Sequence, residues 1–535
     1  MRFRTKYLEE DFLLSNRKVV IILITILLLL SRIITIRHNM ELHPDEHVFY
    51  KASDSLMRFI TGVADVYTEV KEYPEGAIVL QLPFHMAAAL LRHCIGIDLS
   101  MRLCGRIASV FYFFLGSIVG IKMAYRYFGK NMKSVISYAA IMFFSIMHIE
   151  QSRYGTGDAI SFFLIMEILY LTLIGLNECN CGKIIYWLFN GFLTGLLCSV
   201  KYPLLFWGLI PFITVWKNNH TRFRVIILMG IAVIIGFLIG SPKAVTDPAY
   251  IIRIVVRETK AYVLDGNVTE VGCPVNHFLS LVLYSLFYSG FPFSPIFVFL
   301  VWKERKKNVV NDSEHAYIIY CLLPILILVF FIYNLFTKTL FMRTYYPYFF
   351  LMDLYVAMYL GKQHTRIKQC VLFVLISLFI VRGMYYTIVL TEKDGPDKLD
   401  HLVSSSIDES WLNTTLLQPG YFVVSPRDFY ANSTSENILD SRYENNEGLL
   451  LKSGELLITG SIEYYRGSGY FFPVSNQTAN EYCKRWEKFK ALNHNFFVGA
   501  VYPARYYYLF GYWIKGTTGC PYEFPTNFIY YRSSK

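Results

Sequence analysis

Apolar runs of membrane-crossing length recur through the first 390 residues, divided by short polar connections, and give way near residue 391 to shorter alternating runs. Crossing a hydrocarbon core of roughly 30 Å takes about 20 apolar residues in a helix. Residues 19–36 form the first candidate, and the preceding MRFRTKYLEEDFLLSNRK has no small-residue cleavage site, so the segment is expected to stay as an anchor. Further candidates fall near 103–121, 134–149, 159–176, 184–200, 202–216, 225–242, 276–302, 316–336, 340–361 and 369–390. The pattern predicts an α-helical polytopic membrane domain over residues 1–390, with about 11 transmembrane helices.

Beyond residue 391 the pattern changes to short β-rich runs such as 421–424 and 469–473, with one helical stretch around 480–492. Residues 391–535 are therefore expected to form a small α+β domain. No repeat with a period of 20–50 residues is visible, which argues against solenoids and an obvious inverted-repeat transporter.

Orientation follows from the basic residues, because Lys and Arg in short loops resist translocation. Taking alternate connections as cytoplasmic, segments 1–18, 122–133, 177–183, 217–224, 303–310 and 362–368 hold 20 Lys and Arg in 60 residues. The first outward connection, 37–102, holds six in 66. This places the N-terminus in the cytoplasm and, with an odd number of spans, residues 391–535 on the extracytoplasmic side of the cell membrane. Residues 77–97 are apolar enough to cross, but counting them would put the basic YRYFGKNMK segment outside. They are read instead as a helix lying on the outer interface, within the outward loop 37–102.

Composition agrees with this reading: 54% of residues are hydrophobic, 17% are charged, and the mean hydropathy is +0.37. Tyr 41 and Phe 43 against Trp 7 suit rings packed between helices and at bilayer interfaces. The net charge of +11 divides into −2 for residues 391–535 and +13 for the apolar part, so a soluble nucleic-acid binder is excluded. The ten cysteines include no CxxC, and Cys179 and Cys181 are too isolated for a tetrahedral metal site. Cys483 and Cys520 are the only pair in the terminal region, where an extracytoplasmic setting would permit a disulfide.

The densest set of titratable groups is ELHPDEH, directly after the first span. A carboxylate beside apolar surface gains proton affinity, as a general base acting on a hydroxyl requires. Pro44 would stop the incoming helix and start another with Asp45 and Glu46 in its first turn, where anions stabilise a helix. Helix capping by these acids is the ordinary alternative. His43 and His47, four apart, could face one divalent metal ion if the turn is helical, with Glu46 or Asp45 completing the shell, yet HxxxH lacks the HExxH base pattern and no cofactor is expected.

A second outward group, QSRYGTGD, contributes Arg153 and Asp158, the latter serving either function or a helix N-terminus. Lys201, Lys243, Arg257 beside Glu258, and Arg343 also fall at outward span ends. Fixed cations at a membrane boundary can neutralise a lipid-borne phosphate, although each can also simply snorkel to headgroups.

The order of these landmarks resembles the GT-C membrane glycosyltransferases, specifically the bacterial branch related to protein O-mannosyltransferases and to the lipid A aminoarabinose transferase. The resemblance runs over about residues 15–390, from the Asp-Glu pair of HPDEHVFYKASDSLMRFITG through YPEGAIVLQLPFHMAAALL, RLCGRIASVFYFFLGSIVGIKMAYRYFG and SRYGTGDAISFFLIMEILYL. It continues through GFLTGLLCSVKYP, SPKAVTDP and MRTYYPYFF. It implies transfer of a sugar from a polyprenyl-phosphate donor to a hydroxyl of a lipid, glycan or protein acceptor on the extracytoplasmic face, with inversion at the anomeric carbon. Asp45 matches the catalytic acid position, Asp158 the acid of the second loop, and Glu46 completes the catalytic set. Arg153, Lys201 and Arg343 would bind the lipid phosphate, and His43, His47 and Glu258 would contact substrate. Related enzymes often carry a lysine where this chain has Glu75. The alternative is a transporter or flippase for a lipid-linked sugar, which should bury charges near mid-membrane between broken helices.

Overall fold

The structure, a computed structural model, describes residues 20–34, 36, 46–62, 75–97, 99–128, 131–176, 180–218, 222–260, 291–308, 314–335, 342–362 and 365–391. Short pieces at 416–417, 456–460, 491–492, 494–501 and 527–531 complete it. The chain is mostly helical. Five described helices are long and apolar enough to cross a membrane: Gly76–Ile95, Met101–Phe128, Asp158–Gly175, Phe223–Gly240 and Arg366–Met384. The pair Met132–Phe144 and Ile146–Arg153 adds a sixth if its two halves form one span, and Val20–Ile34, Ile184–Val200 and His315–Val329 are shorter apolar helices. These are the elements of a multi-pass membrane protein.

Burial separates two kinds of helix. Met342–Leu360 is the axis of the core, with Tyr346 and every residue from Tyr348 to Tyr359 buried. Val20–Ile34 and Arg366–Thr391 instead turn Leu23, Leu27, Phe373 and Leu378 outward, each more than half exposed. Rows of large apolar side chains facing away from protein need a hydrocarbon surround.

Asn180–Val200 and Arg222–Gly240 lie closely together along a seam of glycines. A Cβ on Gly195 would come within 2.0 Å of the Val233 carbonyl, and one on Gly236 within 2.1 Å of that of Phe192. Small residues let helix backbones approach where lipid removes the hydrophobic drive for association.

One segment departs from the pattern read in the sequence. The expected span 134–149 is broken: Met132–Phe144 and Ile146–Arg153 meet at 61°, because Ser145 is extended and caps the second half, its hydroxyl accepting from His148 N at 3.4 Å. The segment expected to lie on the interface is a 20-residue helix, Gly76–Ile95, that length and composition would also allow to cross. Its beginning and that of Met101–Met123 meet the same turn, since Ala77 lies against Gly157 and Gly105 against Gly155. A 20-residue helix is about 30 Å long, whereas the stretch from Ile95 to Met101 reaches at most about 22 Å. Gly76–Ile95 therefore does not run parallel to its neighbour along its whole length.

In the terminal region the described strands form one sheet, in order 416–417, 456–460, 527–531 and 497–501. Leu416–Leu417 pairs parallel to Leu456–Gly460, and the other pairings are antiparallel, with a register shift between Phe497 and Gly499. The expected strands at 421–424 and 469–473, most of the helix at 480–492, and the pair Cys483 and Cys520 lie outside the described residues, as does 276–290 of the expected span 276–302.

Candidate functional site

Ends of several helices converge on the turn Tyr154–Gly157. Gln81 Nε2 donates to Gly155 O at 3.3 Å, and Ser109 Oγ donates to Thr156 O at 3.4 Å, tying the turn to Gly76–Ile95 and Met101–Met123. A Cβ on Gly157 would touch Val200 and Ala77 at 3.0 and 3.2 Å, so a larger residue there would push three elements apart.

The turn delivers Asp158 into the first turn of Asp158–Gly175, where the helix dipole favours an anion. The Asp158 side chain is 2% exposed; its Oδ1 bonds Lys201 Nζ, and its Oδ2 accepts from Thr156 Oγ1 at 2.9 Å. Lys201 is extended between Asn180–Val200 and the 3-10 helix Tyr202–Gly208, whose first turn contains Pro203. Its ammonium is anchored by a buried acid, while the side chain as a whole remains 29% exposed.

A second carboxylate closes the same junction. Glu75 is fully buried, and its Oε2 accepts from Ser241 Oγ at 3.2 Å and from Lys243 N at 3.1 Å. It thereby joins the start of Gly76–Ile95 to the end of Arg222–Gly240. Gly76 is required by space, since a Cβ would fall 2.2 Å from Ser199 Oγ. The Lys243 ammonium lies over the Tyr250 ring at 5.5 Å, and burial lowers its pKa from the ordinary lysine value.

Of the residues singled out in the sequence, the structure brings Asp158 and Lys201 into direct contact. Arg153 closes Ile146–Arg153, five positions before Asp158, and is 4% exposed with its guanidinium over Tyr154 at 5.2 Å. Glu46 and His47 begin the helix Glu46–Ile60, Glu258 lies in Pro248–Thr259, and Arg343 is in the first turn of Met342–Leu360. The side chains of these four are outside the description, as are His43 and Asp45 altogether. Among the described residues, no group of three or more His, Cys, Asp or Glu could hold a metal ion.

The sequence reading passed over a buried polar group around the broken span. His148 Nε2 lies 2.7 Å from Asp353 Oδ2, with both side chains fully buried, while Asp353 Oδ1 accepts from Phe291 N at 3.1 Å. The other ring nitrogen of His148 is 3.3 Å from the Tyr346 hydroxyl. Arg32 donates to the carbonyls of Met142 and Phe143 at the break, and its guanidinium lies 5.2 Å from the Phe113 ring centre. Carbonyls at a helix end need donors, and inside a membrane a side chain must supply them. The available signal was an ionisable residue inside an apolar run: Arg32 in LLLLSRIITI and Asp353 in YFFLMDLYV.

No protein-family model and no curated protein matches the chain. Among solved structures it is similar to an oligosaccharyltransferase of Archaeoglobus fulgidus in complex with Zn and sulfate. That comparison gives 12% identity and a TM-score of 0.38, covering 72% of this chain and 56% of the other. It is also similar to the archaeal oligosaccharyltransferase AglB from the same organism, in complex with an inhibitory peptide and a dolichol-phosphate. Here the identity is 12% and the TM-score 0.40, over 74% of this chain and 59% of that one. The chain thus spans little more than half the length of either protein. A likeness of this degree assigns neither family nor activity.

Proposed function

We propose that the chain is an integral-membrane glycosyltransferase that moves a sugar from a polyprenyl-phosphate donor to an acceptor hydroxyl on the extracytoplasmic face, with inversion. The observation that carries this reading is Lys201, whose ammonium is bonded by buried Asp158 and whose side chain is 29% exposed at the junction of helix ends. A fixed cation in that setting suits a phosphate whose lipid tail stays in the bilayer. The order of sequence landmarks supplies the rest.

In the proposed reaction the Asp45 carboxylate takes the acceptor's hydroxyl proton as that oxygen bonds to the anomeric carbon. The bond from that carbon to the phosphate oxygen breaks on the opposite side, and the polyprenyl phosphate leaves with the electron pair. Lys201, Arg153 and Arg343 offset the charge gathering on the phosphate, a contribution usually larger than the proton transfer itself. Asp158, already bonded to Lys201 and Thr156, holds the ammonium in place. Glu46, His43, His47 and Glu258 are assigned to the acceptor and sugar side. No divalent cation takes part in this scheme.

The rival reading, a transporter or flippase for a lipid-linked sugar, gains one observation: Arg32, His148 and Asp353 are buried beside a helix broken at 61°. All three are closed off from solvent and bonded to backbone or to one another, which suits structural satisfaction better than a path. The purified full-length chain in vesicles with polyprenyl-phosphate sugars tests the choice. Transfer of labelled sugar to an acceptor supports the enzyme, whereas movement of intact donor between leaflets without product supports the rival.

A further inference from the structure

The helix Pro248–Thr259 begins eight residues after the candidate span Phe223–Gly240 ends, and it is built to stay next to that span end. Asp247 caps it by accepting from Tyr250 N at 3.2 Å, Pro248 occupies the first turn, and Arg253 bonds back to Asp247. Ahead of the cap, Lys243 N and Ser241 Oγ are fastened to Glu75, so the helix cannot swing away from the bundle end.

At 100° per residue its side chains divide into three sectors. Tyr250 and Ile254 point to the protein and are 2% and 3% exposed. Ile252, Val255 and Val256 take the opposite side at 67%, 42% and 60% exposed. Arg253, exposed, lies at the boundary between these sectors, and Arg257, also exposed, follows one turn further along the helix. Residues 243–260 carry four basic and two acidic side chains. An apolar strip bordered by arginines beside a membrane-span end is complementary to one surface, a bilayer with anionic headgroups.

We propose that Pro248–Thr259 lies in the membrane interface, with Ile252, Val255 and Val256 among the acyl chains and Arg253 and Arg257 on anionic headgroups. This placement is independent of whether the chain transfers sugar. In water the exposed strip would attract another protein surface. In the interface it is buried, and the arginines bias the adjoining lipid toward the anionic species.

The test is a photocrosslinking amino acid placed at Val256 in the full-length chain, reconstituted in vesicles of zwitterionic and anionic phospholipid. The expected products are lipid adducts in which the anionic lipid is enriched about five-fold over its share, the factor for roughly one favourable headgroup charge contact. The double variant Arg253→Gln with Arg257→Gln, still eluting as a single species, should return that ratio to the bulk composition. Adducts to a second copy of the chain, or lipid adducts with no anionic enrichment in the unaltered chain, would overturn the proposal.

Discussion

Lys201 Nζ bonds Asp158 Oδ1 while the Thr156 hydroxyl donates to Oδ2, so one buried carboxylate has both oxygens committed, the first to a lysine whose side chain is still 29% exposed. Removing one partner from such a pair leaves a buried charge without compensation. Lys201→Met should therefore destabilise the chain by about 3 kcal/mol. Adding Asp158→Asn should restore much of that loss, because the uncompensated charge is gone. Thermal unfolding of the purified single and double variants checks both statements.

The His148–Asp353 pair should respond differently to shape and to charge. Asp353→Ala strips partners from His148 and from Phe291 N together, and is expected to cost about 3 kcal/mol. Asp353→Asn keeps a polar group of the same outline and should cost about 1 kcal/mol. Denaturation midpoints in one detergent compare the two, and equal losses would show that the pair does not hold the broken span to Met342–Leu360.

Two glycines of the same helix pair separate packing from propensity. Gly195→Ala drives a Cβ to within 2.0 Å of the Val233 backbone and should part Asn180–Val200 from Arg222–Gly240. Gly230 has nothing within 4 Å of an added Cβ, so Gly230→Ala should stabilise the helix by up to about 1 kcal/mol. Opposite shifts in thermal midpoint are expected.

Asp247 gives a pH dependence with a definite sign. The hydrogen bond from Arg253 holds its carboxyl below the usual aspartate range, so the cap it makes is at full strength above that range and is lost as pH falls through the lowered value. Amide exchange of residues 248–259 in the intact chain, corrected for intrinsic rates, should accelerate only below about pH 3.9. Asp247→Asn should remove that pH response.

Legibility in the sequence followed the range of the interactions. Helix positions such as Arg222–Gly240 and Met342–Leu360 were readable because an apolar run of fixed length is a local property. The contact between Asp158 and Lys201 joins residues 43 positions apart, and the sequence offered only that both belong at span ends. The break at Ser145 was hidden because the capping hydroxyl and the Arg32 donor act together, and Arg32 lies 110 positions from the carbonyl of Met142. Glu75 stood out as a departure from a basic position, while its role in tying Ser241 and Lys243 to Gly76–Ile95 depends on how the helices pack. Asp353 is a single ionisable residue in an aromatic run, and only the packing of the helices sets His148 2.7 Å from it.

The central claim is that Asp45 removes the acceptor's proton while Lys201 meets the donor phosphate. It is tested most directly by sugar transfer from a polyprenyl-phosphate donor using the purified Asp45→Asn variant, with thermal unfolding measured alongside. The account predicts a rate lowered on the order of 10² to 10⁴-fold with an unchanged unfolding midpoint. Undiminished turnover by the folded variant would contradict it.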